Sequence, residues 1–302
     1  MTSAPAFSTD FDPQTGRPVA AAPGLVRLTA PNASPYTFTG TNTFLLGEGS
    51  VAILDPGPDS DAHLNAILDA VAGRPVEAIL LTHTHKDHSS LVPKLRAATG
   101  APVWFGGRHR LSRPLRPFEI NMLSRSCDWS LVPDRVLTHG ERVSIDKLAL
   151  EVIATPGHCA NHLTFGLVGT PHLLTGDHIM GWNSTLVAVP DGSMRDYFTS
   201  LDRVIATPYR HYHPAHGGPI ADGPAYARAL KGHREARNMQ IVAAVEDGAR
   251  TIMAVVTRIY PQQSLAIRHA AAMTVRAHAE YLADLGALRM RRTLFGTRLL
   301  PA

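Results

Sequence analysis

The chain has little cysteine, few aromatic residues and no long apolar run. Only two cysteines, Cys127 and Cys159, occur among 302 residues, which excludes a fold held together by a network of disulfides. No stretch approaches the roughly 20 apolar residues that a membrane-spanning helix needs. The start, MTSAPAFSTDFDPQTG, has no basic segment followed by an apolar one, so a signal peptide is not expected. We therefore expect a cytoplasmic protein with no membrane partner.

Charge is also sparse, and it is unevenly distributed. Charged residues make up 18% of the chain and the formal net charge is +4, which is too little to indicate a nucleic-acid partner by itself. Residues 230–302 contain 11 Lys and Arg against 5 Asp and Glu, a net of +6, which leaves −2 for the rest of the chain. The basic character therefore belongs to the C-terminal quarter.

Two kinds of pattern follow one another along the chain. In the first part, short apolar runs alternate with turns and helical stretches, which predicts an α/β fold with helices outside the sheets. After that part the strand signals stop, and the pattern predicts a helix over 224–246, two further helices and a closing hairpin. Helix, helix, helix, hairpin is the order of a winged-helix module. We predict a catalytic domain over 1–222 and a winged-helix-like domain over 223–302.

The stretch LTHTHKDHSS, residues 81–90, follows an apolar run that is typical of a buried strand. At the end of a strand His83 and His85 point to the same side, because side chains alternate with a period of two. Asp87 and His88 lie just past the turn, within reach of a second metal. Imidazole nitrogens and carboxylate oxygens suit zinc, and they also accept manganese and iron. The stretch therefore predicts part of a site for two divalent metal ions.

Further donors stand at the ends of other predicted strands. TPGH presents His158, TGDH presents Asp177 and HPAHGG presents His216. Each of these residues alone could equally well be a capping or surface residue. Together with the first four they form a set of seven at strand ends, which is what a two-metal site requires.

The motifs HTHKDH, TPGHCANH, TGDH and HPAHGGPI, in this order, resemble the metallo-β-lactamase superfamily over roughly residues 25–220. The resemblance implies an αββα sandwich with two metals at one edge of its sheets. It implies that the first metal is held by His83, His85 and His158, the second by Asp87, His88 and His216, and that Asp177 bridges both. Asp55 and Gly57, in ILDPGP, match the strand and turn that support this site in the family.

The chemistry expected of such a site needs no protein nucleophile. Two metals about 3.5–4 Å apart share a hydroxide, lower the pKa of its parent water towards neutrality and stabilise charge on the attacked oxygen. We expect Asp87 to accept the proton, and His162 to contact the leaving group. The family's antibiotic-hydrolysing members usually carry cysteine or serine where this chain has Asp177, so that activity is not expected. Cys159 is interpreted as a neutral replacement for a hydroxyl residue.

The run after Asp177, GDHIMGWNSTLVAVPDGSMRDYFTSLDRV, resembles the β-lactamase-like protein 2 branch. That branch also carries a winged-helix-like C-terminal domain, and its characterised members cut single-stranded RNA. The resemblance therefore implies a single-strand-specific endoribonuclease, with the basic C-terminal quarter on the RNA. The predicted hairpin carries basic residues that fit this role, namely Arg289, Arg291, Arg292 and Arg298. The same quarter could instead pack on the catalytic domain or form a homodimer.

Two other functions remain open. One is hydrolysis of a small-molecule thioester or lactone, as in glyoxalase II, which predicts basic residues close to the metals, namely Lys86, Arg108 and Arg110. Against it, the chain lacks the arginine and lysine motif with which the glyoxalase-type C-terminal domain contacts glutathione. The other is a regulator that binds nucleic acid through the winged helix without catalysis, against which a complete ligand set argues. The long segment 108–139 lies where substrate choice usually resides. We expect four of its arginines to contact an anionic substrate, namely Arg108, Arg110, Arg113 and Arg116.

Overall fold

The structure, a computed structural model, describes residues 5–293 and 296–302. Two β-sheets packed face to face form the body of the protein, and helices cover their outer faces. Among the described residues, no helix combines the length and the apolarity that a bilayer crossing requires.

The first sheet has seven strands whose spatial order follows the chain. It is antiparallel through the first four strands and parallel from the fourth to the seventh. Parallel neighbours need long crossover connections. Helices connect the fourth strand to the fifth and the fifth to the sixth, and residues 106–134 connect the sixth to the seventh. Its strands are β1 (Val19–Ala22), β2 (Leu25–Thr29), β3 (Asn42–Leu46), β4 (Val51–Leu54), β5 (Val76–Leu80), β6 (Val103–Phe105) and β7 (Arg135–Val136). The helices of this half are α1 (Asp61–Val71), α2 (Lys86–Ser89) and α3 (Val92–Thr99).

The second sheet has five strands, in the order β12-β11-β10-β9-β8. These strands are β8 (Arg142–Ile145), β9 (Leu148–Ala154), β10 (Leu163–Leu167), β11 (His172–Gly176) and β12 (His211–Pro214). Only the β11–β12 pair is parallel, and the helix α4 (Met194–Ile205) connects those two strands. Both sheets are therefore mixed, as an α/β fold of this kind requires.

Apolar side chains form one layer between the sheets and one on each outer face. Leu54 and Leu80 of the first sheet meet Val152 and Phe165 of the second in the central layer. The helices α1 and α3 cover the outer face of the first sheet, and α4 covers the outer face of the second. The layers run helix, sheet, sheet, helix, and the α/β class predicted from the sequence is confirmed.

The C-terminal part contains the three helices and the hairpin that the sequence predicts. They are α5 (Gly223–Glu246), α6 (Ile252–Ile259), α7 (Leu265–Asp284), β13 (Leu288–Thr293) and β14 (Gly296–Pro301). Ala227 and Leu230, near the start of α5, pack in the outer layer of the second sheet, whereas Ile241 and Val245, near its end, pack with α6, α7 and the hairpin. The domain boundary at 222/223 stays a prediction, as does the winged-helix character of these elements.

Candidate metal centre

The seven predicted ligands lie on loops and one short helix that meet at one end of the sandwich. His83 and His85 follow β5 of the first sheet, and Asp87 and His88 lie in α2. The other three follow strands of the second sheet, namely His158 after β9, Asp177 after β11 and His216 after β12. Ligands from both sheets can meet there because backbone hydrogen bonds join the sheets at this end.

Two contacts fix that junction between the sheets. The backbone N–H of Leu163 donates to the carbonyl of Thr82, at 2.7 Å. The side-chain amide of Asn42 donates to the carbonyls of Pro214, at 3.0 Å, and Gly217, at 2.9 Å. Asn42 is buried, so its two donated bonds hold the loop of His216 against the first sheet.

The first cluster of donor atoms consists of three imidazoles and one carboxylate oxygen. Nδ1 of His85 lies 3.0 Å from Nε2 of His83 and 2.8 Å from Nε2 of His158. Oδ2 of Asp177 lies 3.6 Å from Nε2 of His158. These are the residues that the family resemblance assigns to the first metal, with Asp177 shared between the two.

The second cluster lies on the other side of the same carboxylate. Nε2 of His216 lies 3.4 Å from Oδ2 of Asp87 and 3.3 Å from Oδ1 of Asp177. Nε2 of His88 lies 3.6 Å from each of the same two oxygens. Asp177 thus places Oδ1 in the second cluster and Oδ2 in the first, which is the arrangement that a bridging ligand needs.

The donor atoms of the second cluster suit a cation. Nε2 of His88, Nε2 of His216 and Oδ1 of Asp177 are buried and have no hydrogen-bond partner among the described residues. A buried polar atom without a partner costs about 1–3 kcal/mol. Because these three atoms lie close together, they indicate a binding site for a cation. Nitrogen and carboxylate oxygen are donors that zinc, manganese and iron all accept.

Each ligand histidine is fixed from behind by a hydrogen bond to its other ring nitrogen. Such outer bonds set which nitrogen carries the proton and which faces the metal. The partners are Thr82 Oγ1 for His83 (2.9 Å), Asp191 Oδ2 for His85 (2.8 Å), Asp55 Oδ2 for His88 (3.0 Å), the Leu186 carbonyl for His158 (2.7 Å) and the Gly40 carbonyl for His216 (3.2 Å). In its neutral form each of the five imidazoles would therefore present an unprotonated nitrogen to its cluster.

Asp55 is the hub of one part of this outer layer. Its Oδ1 accepts from the backbone N–H of Thr82, at 2.8 Å, and its Oδ2 accepts from the Thr82 hydroxyl, at 2.7 Å, and from Nδ1 of His88. Because the only hydroxyl proton of Thr82 goes to Asp55, the bond between Thr82 and His83 has the imidazole as donor. Asp55 thus orients one histidine of each cluster, as expected from the ILDPGP motif.

Asp191 is a second hub, and sequence reasoning missed it. The carboxylate is fully buried and accepts from Nε2 of His85 and Nε2 of His109, both at 2.8 Å. The chain of bonds continues, since Asn161 donates to the Thr84 hydroxyl, which lies 2.9 Å from Nδ1 of His109. Burial would raise the pKa of Asp191, but these histidines outweigh it and hold that pKa well below its usual range.

The electrostatics of the two clusters differ. Burial disfavours charge on His216, but Asp177 and Asp87 outweigh it and raise its pKa to about 10. In the first cluster, burial and the neighbouring His85 lower the pKa of His158 to about 4, against a smaller opposing effect of Asp177. The second cluster therefore attracts positive charge, whereas the first offers neutral imidazoles, the form that binds metal.

The structure corrects the expectation that His162 contacts a leaving group. His162 is buried, its Nε2 accepts from the backbone N–H of Asp177 at 3.1 Å, and its Nδ1 lies 2.8 Å from Thr155 Oγ1. Both ring nitrogens are engaged inside the protein, so neither faces a substrate. His162 holds the backbone of Asp177 instead.

A cleft of about 590 Å³ opens over the two clusters. Four predicted ligands line it, namely His85, Asp87, His158 and Asp177. The rest of its lining is mainly apolar, with Tyr36, Met122, Leu123, Met180, Leu186 and Met273, and it includes the basic side chains of Lys86 and Arg125. A volume of this size, with many apolar and few polar groups, is typical of a small-molecule site.

None of the four arginines predicted to contact an anionic substrate lines this cleft. Arg113 and Arg116 donate to the carboxylate of Glu280, and Arg113 also donates to Glu119. Arg110 donates to backbone carbonyls. The prediction is therefore wrong for Arg113 and Arg116, whose charges are used within the fold.

Comparisons with known proteins agree with this geometry. A family model for the metallo-beta-lactamase superfamily matches residues 36–216. The chain is 28% identical to a beta-lactamase-like protein 2 homolog of Caenorhabditis elegans, over 83% of this chain and 81% of that protein. It is 28% identical to an atrochrysone carboxyl ACP thioesterase of Aspergillus chevalieri, over 74% and 67% of the two chains.

Two solved structures cover nearly the whole chain. A beta-lactamase domain protein from Burkholderia ambifaria superposes with a TM-score of 0.80 at 23% identity, over 97% of this chain and 96% of that one. A metallo-beta-lactamase family protein from Thermus thermophilus superposes with a TM-score of 0.76 at 28% identity, over 94% and 100%. The common fold therefore includes the C-terminal helices.

Proposed function

The chain belongs to the metallo-beta-lactamase superfamily, as its four motifs predicted, and on that premise we propose that it is a hydrolase dependent on two divalent metal ions. Zinc is the first choice, with manganese and iron as alternatives. The proposed ligands are His83, His85 and His158 for one ion, Asp87, His88 and His216 for the other, and Asp177 between them. The observation that carries this proposal is the division of the two Asp177 oxygens between two clusters of donor atoms.

The residues around the cleft have separate roles in this proposal. Bound metals would act as Lewis acids and would lower the pKa of a bound water towards neutrality. Asp87, whose side chain is 31% exposed, would hold the second metal and is the carboxylate at the cleft that would take up a proton. Asp55 and Asp191 fix the orientation of His88 and His85 by hydrogen bonds. The apolar walls of the cleft exclude bulk water from the bond that is hydrolysed.

A carbonyl substrate, a thioester or an ester, suits the cleft best. Its lining offers several apolar side chains but only two basic ones, Lys86 and Arg125. A single-stranded nucleic acid needs a row of basic residues along its phosphates and aromatic side chains under its bases. Among the described residues that line the cleft, Tyr36 is the one Phe, Tyr or Trp. One relative is named as a thioesterase, which agrees with this choice.

Cleavage of single-stranded RNA is the second candidate. The hairpin exposes Arg289, Arg291 and Arg298, the C-terminal quarter carries a net charge of +6, and a winged-helix-like module would place that charge on a phosphate backbone. Against it, several basic side chains of this quarter are bonded within the fold. They are Lys231, Arg234, Arg250, Arg258, Arg268 and Arg276.

One experiment separates the two substrates. Metal-loaded wild-type protein and Asp177→Asn are each offered a series of acyl thioesters and an end-labelled single-stranded RNA. We expect thioester hydrolysis by the wild type and a loss of at least a hundredfold in the variant. Cleavage of RNA alone, also lost in Asp177→Asn, would favour the second candidate, and no metal-dependent hydrolysis of either would reject both.

A further inference from the structure

The wall of the cleft is built from two segments that are distant in sequence. Met122 and Leu123 belong to residues 106–134, which connect β6 to β7 and are called the insertion here. Met273 belongs to α7, near the C-terminus. All three side chains line the same cleft as the predicted metal ligands. The C-terminal part of the chain therefore contributes directly to the space above the proposed reaction centre.

The insertion is unusually apolar on its exposed side. Leu115, Phe118, Ile120 and Met122 lie within eight residues, and their side chains are 50%, 103%, 74% and 73% exposed. Clustered apolar side chains on a surface cost solvation free energy and commonly mark a binding site. Because this group is continuous in sequence with the cleft wall at Met122, an apolar ligand that enters the cleft can also cover part of it.

A cluster of ions holds the insertion against α7. Glu280 accepts from Arg113 at 2.7 and 2.8 Å and from Arg116 at 2.9 Å. Glu119 accepts from both ends of the Arg113 guanidinium, at 2.7 and 2.8 Å, and from Arg276. The side chain of Glu119 is only 1% exposed. A buried carboxylate that loses its charged partners destabilises the fold. Because these partners come from both segments, the cluster fixes the separation between the insertion and α7.

We propose that Met122, Leu123 and Met273 bind the flexible apolar acyl chain of a thioester or ester substrate. The ion cluster of Arg113, Arg116, Glu119, Arg276 and Glu280 is the positioning device that sets the width of this acyl site. The inference rests on the proposed function, because the acyl carbonyl must lie over the metal clusters for its chain to reach this wall. In this proposal the C-terminal helix α7 takes part in substrate selection, because it carries Met273.

Methionine is well suited to such a wall. Its unbranched, polarisable side chain adapts to ligands of different shape, and two methionines from independent segments can close around a flexible chain. Burial of one methylene contributes about 0.8 kcal/mol, which corresponds to roughly a fourfold gain in affinity. An acyl chain that is half covered by this open cleft should therefore gain about twofold in affinity for each methylene.

The first test measures selectivity for chain length. The specificity constant kcat/KM is determined for acyl thioesters from two to twelve carbons, with wild-type protein, Met273→Trp and Met122→Trp. Met239→Trp is the control, because Met239 is 68% exposed on α5 and does not line the cleft. We expect the wild type to prefer ten carbons over four by at least tenfold, Met273→Trp to lose that preference, and Met239→Trp to keep it.

A binding measurement keeps this test independent of the proposed function. Calorimetric titration of metal-loaded protein with decanoate and butyrate needs no turnover. We expect decanoate to bind at least tenfold more tightly, and Met273→Trp to remove the difference. If the wild type hydrolyses no thioester but this difference is present, the acyl site stands and the proposed reaction fails. Equal binding of the two acids, or an equal effect of Met239→Trp, would overturn the acyl site.

The ion cluster needs a test of its own. Glu280→Gln removes the charge at nearly constant volume, and Glu280→Asp keeps it. We expect Glu280→Gln to raise KM for the decanoyl substrate about tenfold, with kcat, metal content and acetyl activity unchanged, and Glu280→Asp to restore part of the loss. An unchanged KM in Glu280→Gln, or an equal fall in activity for all chain lengths, would contradict a positioning role.

Discussion

The carboxylate of Asp191 joins two histidines, one of which belongs to the metal centre. Its Oδ2 accepts from Nε2 of His85 and its Oδ1 accepts from Nε2 of His109, both at 2.8 Å. Because this bond puts the His85 proton on Nε2, it leaves Nδ1 to face His83 and His158. Asp191, which does not line the cleft, thus decides the tautomer of a proposed metal ligand.

Asp191→Asn is expected to weaken one of the two metal sites. An amide cannot accept from both histidines with a full negative charge, so His85 loses orientation and basicity. Loss of such an outer partner typically lowers metal affinity by about 10–100-fold. Competition with a chromogenic chelator measures the two dissociation constants, with the exposed Asp69→Asn as the control. Two constants equal to those of the wild type would show that Asp191 has only a packing role.

Gly176, directly before the bridging aspartate, is expected to tolerate no side chain. It has a φ of +53°, and a Cβ there would lie 2.7 Å from Nε2 of His162 and 2.8 Å from Cβ of Thr82. Gly169→Ala is the matched control, because it also has a positive φ, of +79°, but has no atom within 4 Å of the added Cβ. We expect Gly169→Ala to cost about 1 kcal/mol.

Gly176→Ala is expected to cost at least about 2 kcal/mol more, because it adds a steric conflict to the same backbone strain. It should also reduce bound metal, since Asp177 is displaced. Thermal unfolding and metal analysis of the two variants check this. Equal unfolding temperatures would show that the site yields easily around Gly176.

His63 is expected to make the protein less stable in mild acid. Burial lowers its pKa to about 4, whereas an unfolded histidine has a pKa of about 6.5. Between these values only the unfolded chain takes up the proton, so the stability present above pH 6.5 is lost as the pH falls towards 4. At pH 5 this amounts to about 2 kcal/mol.

His63→Gln tests this effect, because glutamine can still donate to Thr43, the partner of His63 at 2.8 Å. Urea unfolding at pH 7.5 and pH 5.0, at one fixed metal concentration, gives the loss of stability for both proteins. The wild type should lose about 2 kcal/mol more than the variant. Parallel losses would mean that His63 takes up its proton equally in the folded and unfolded states.

The residues proposed as metal ligands could be picked out of the sequence because each stands in a local pattern. An apolar strand followed by HTHKDH or TGDH places its donors at one sheet edge, whatever the rest of the chain does. Asp191 carries no such signal, since a single aspartate in VPDG resembles any turn, and its partner His85 is 106 residues away. Contacts of this range depend on how two sheets face each other, which no local pattern encodes.

Two further features differ in how far the sequence indicates them. The helix α4 had a readable signal, with the cap Ser193 followed by buried Met194, Tyr197 and Leu201 at helical spacing. The role of Arg113 had none, because Glu119 and Glu280 select it only once the insertion lies on α7. The basic residues of the insertion therefore predicted a substrate-binding surface, whereas in the fold the charge of Arg113 is paired with these two carboxylates.

The central claim is that two metal ions flank Asp177, and anomalous diffraction from crystals of zinc-loaded protein tests it most directly. The account predicts two peaks at the zinc absorption edge, one among His83, His85 and His158 and the other among Asp87, His88 and His216. Each peak should lie within bonding distance of a different oxygen of Asp177. A single peak, or peaks that leave Asp177 outside both coordination shells, would contradict the account.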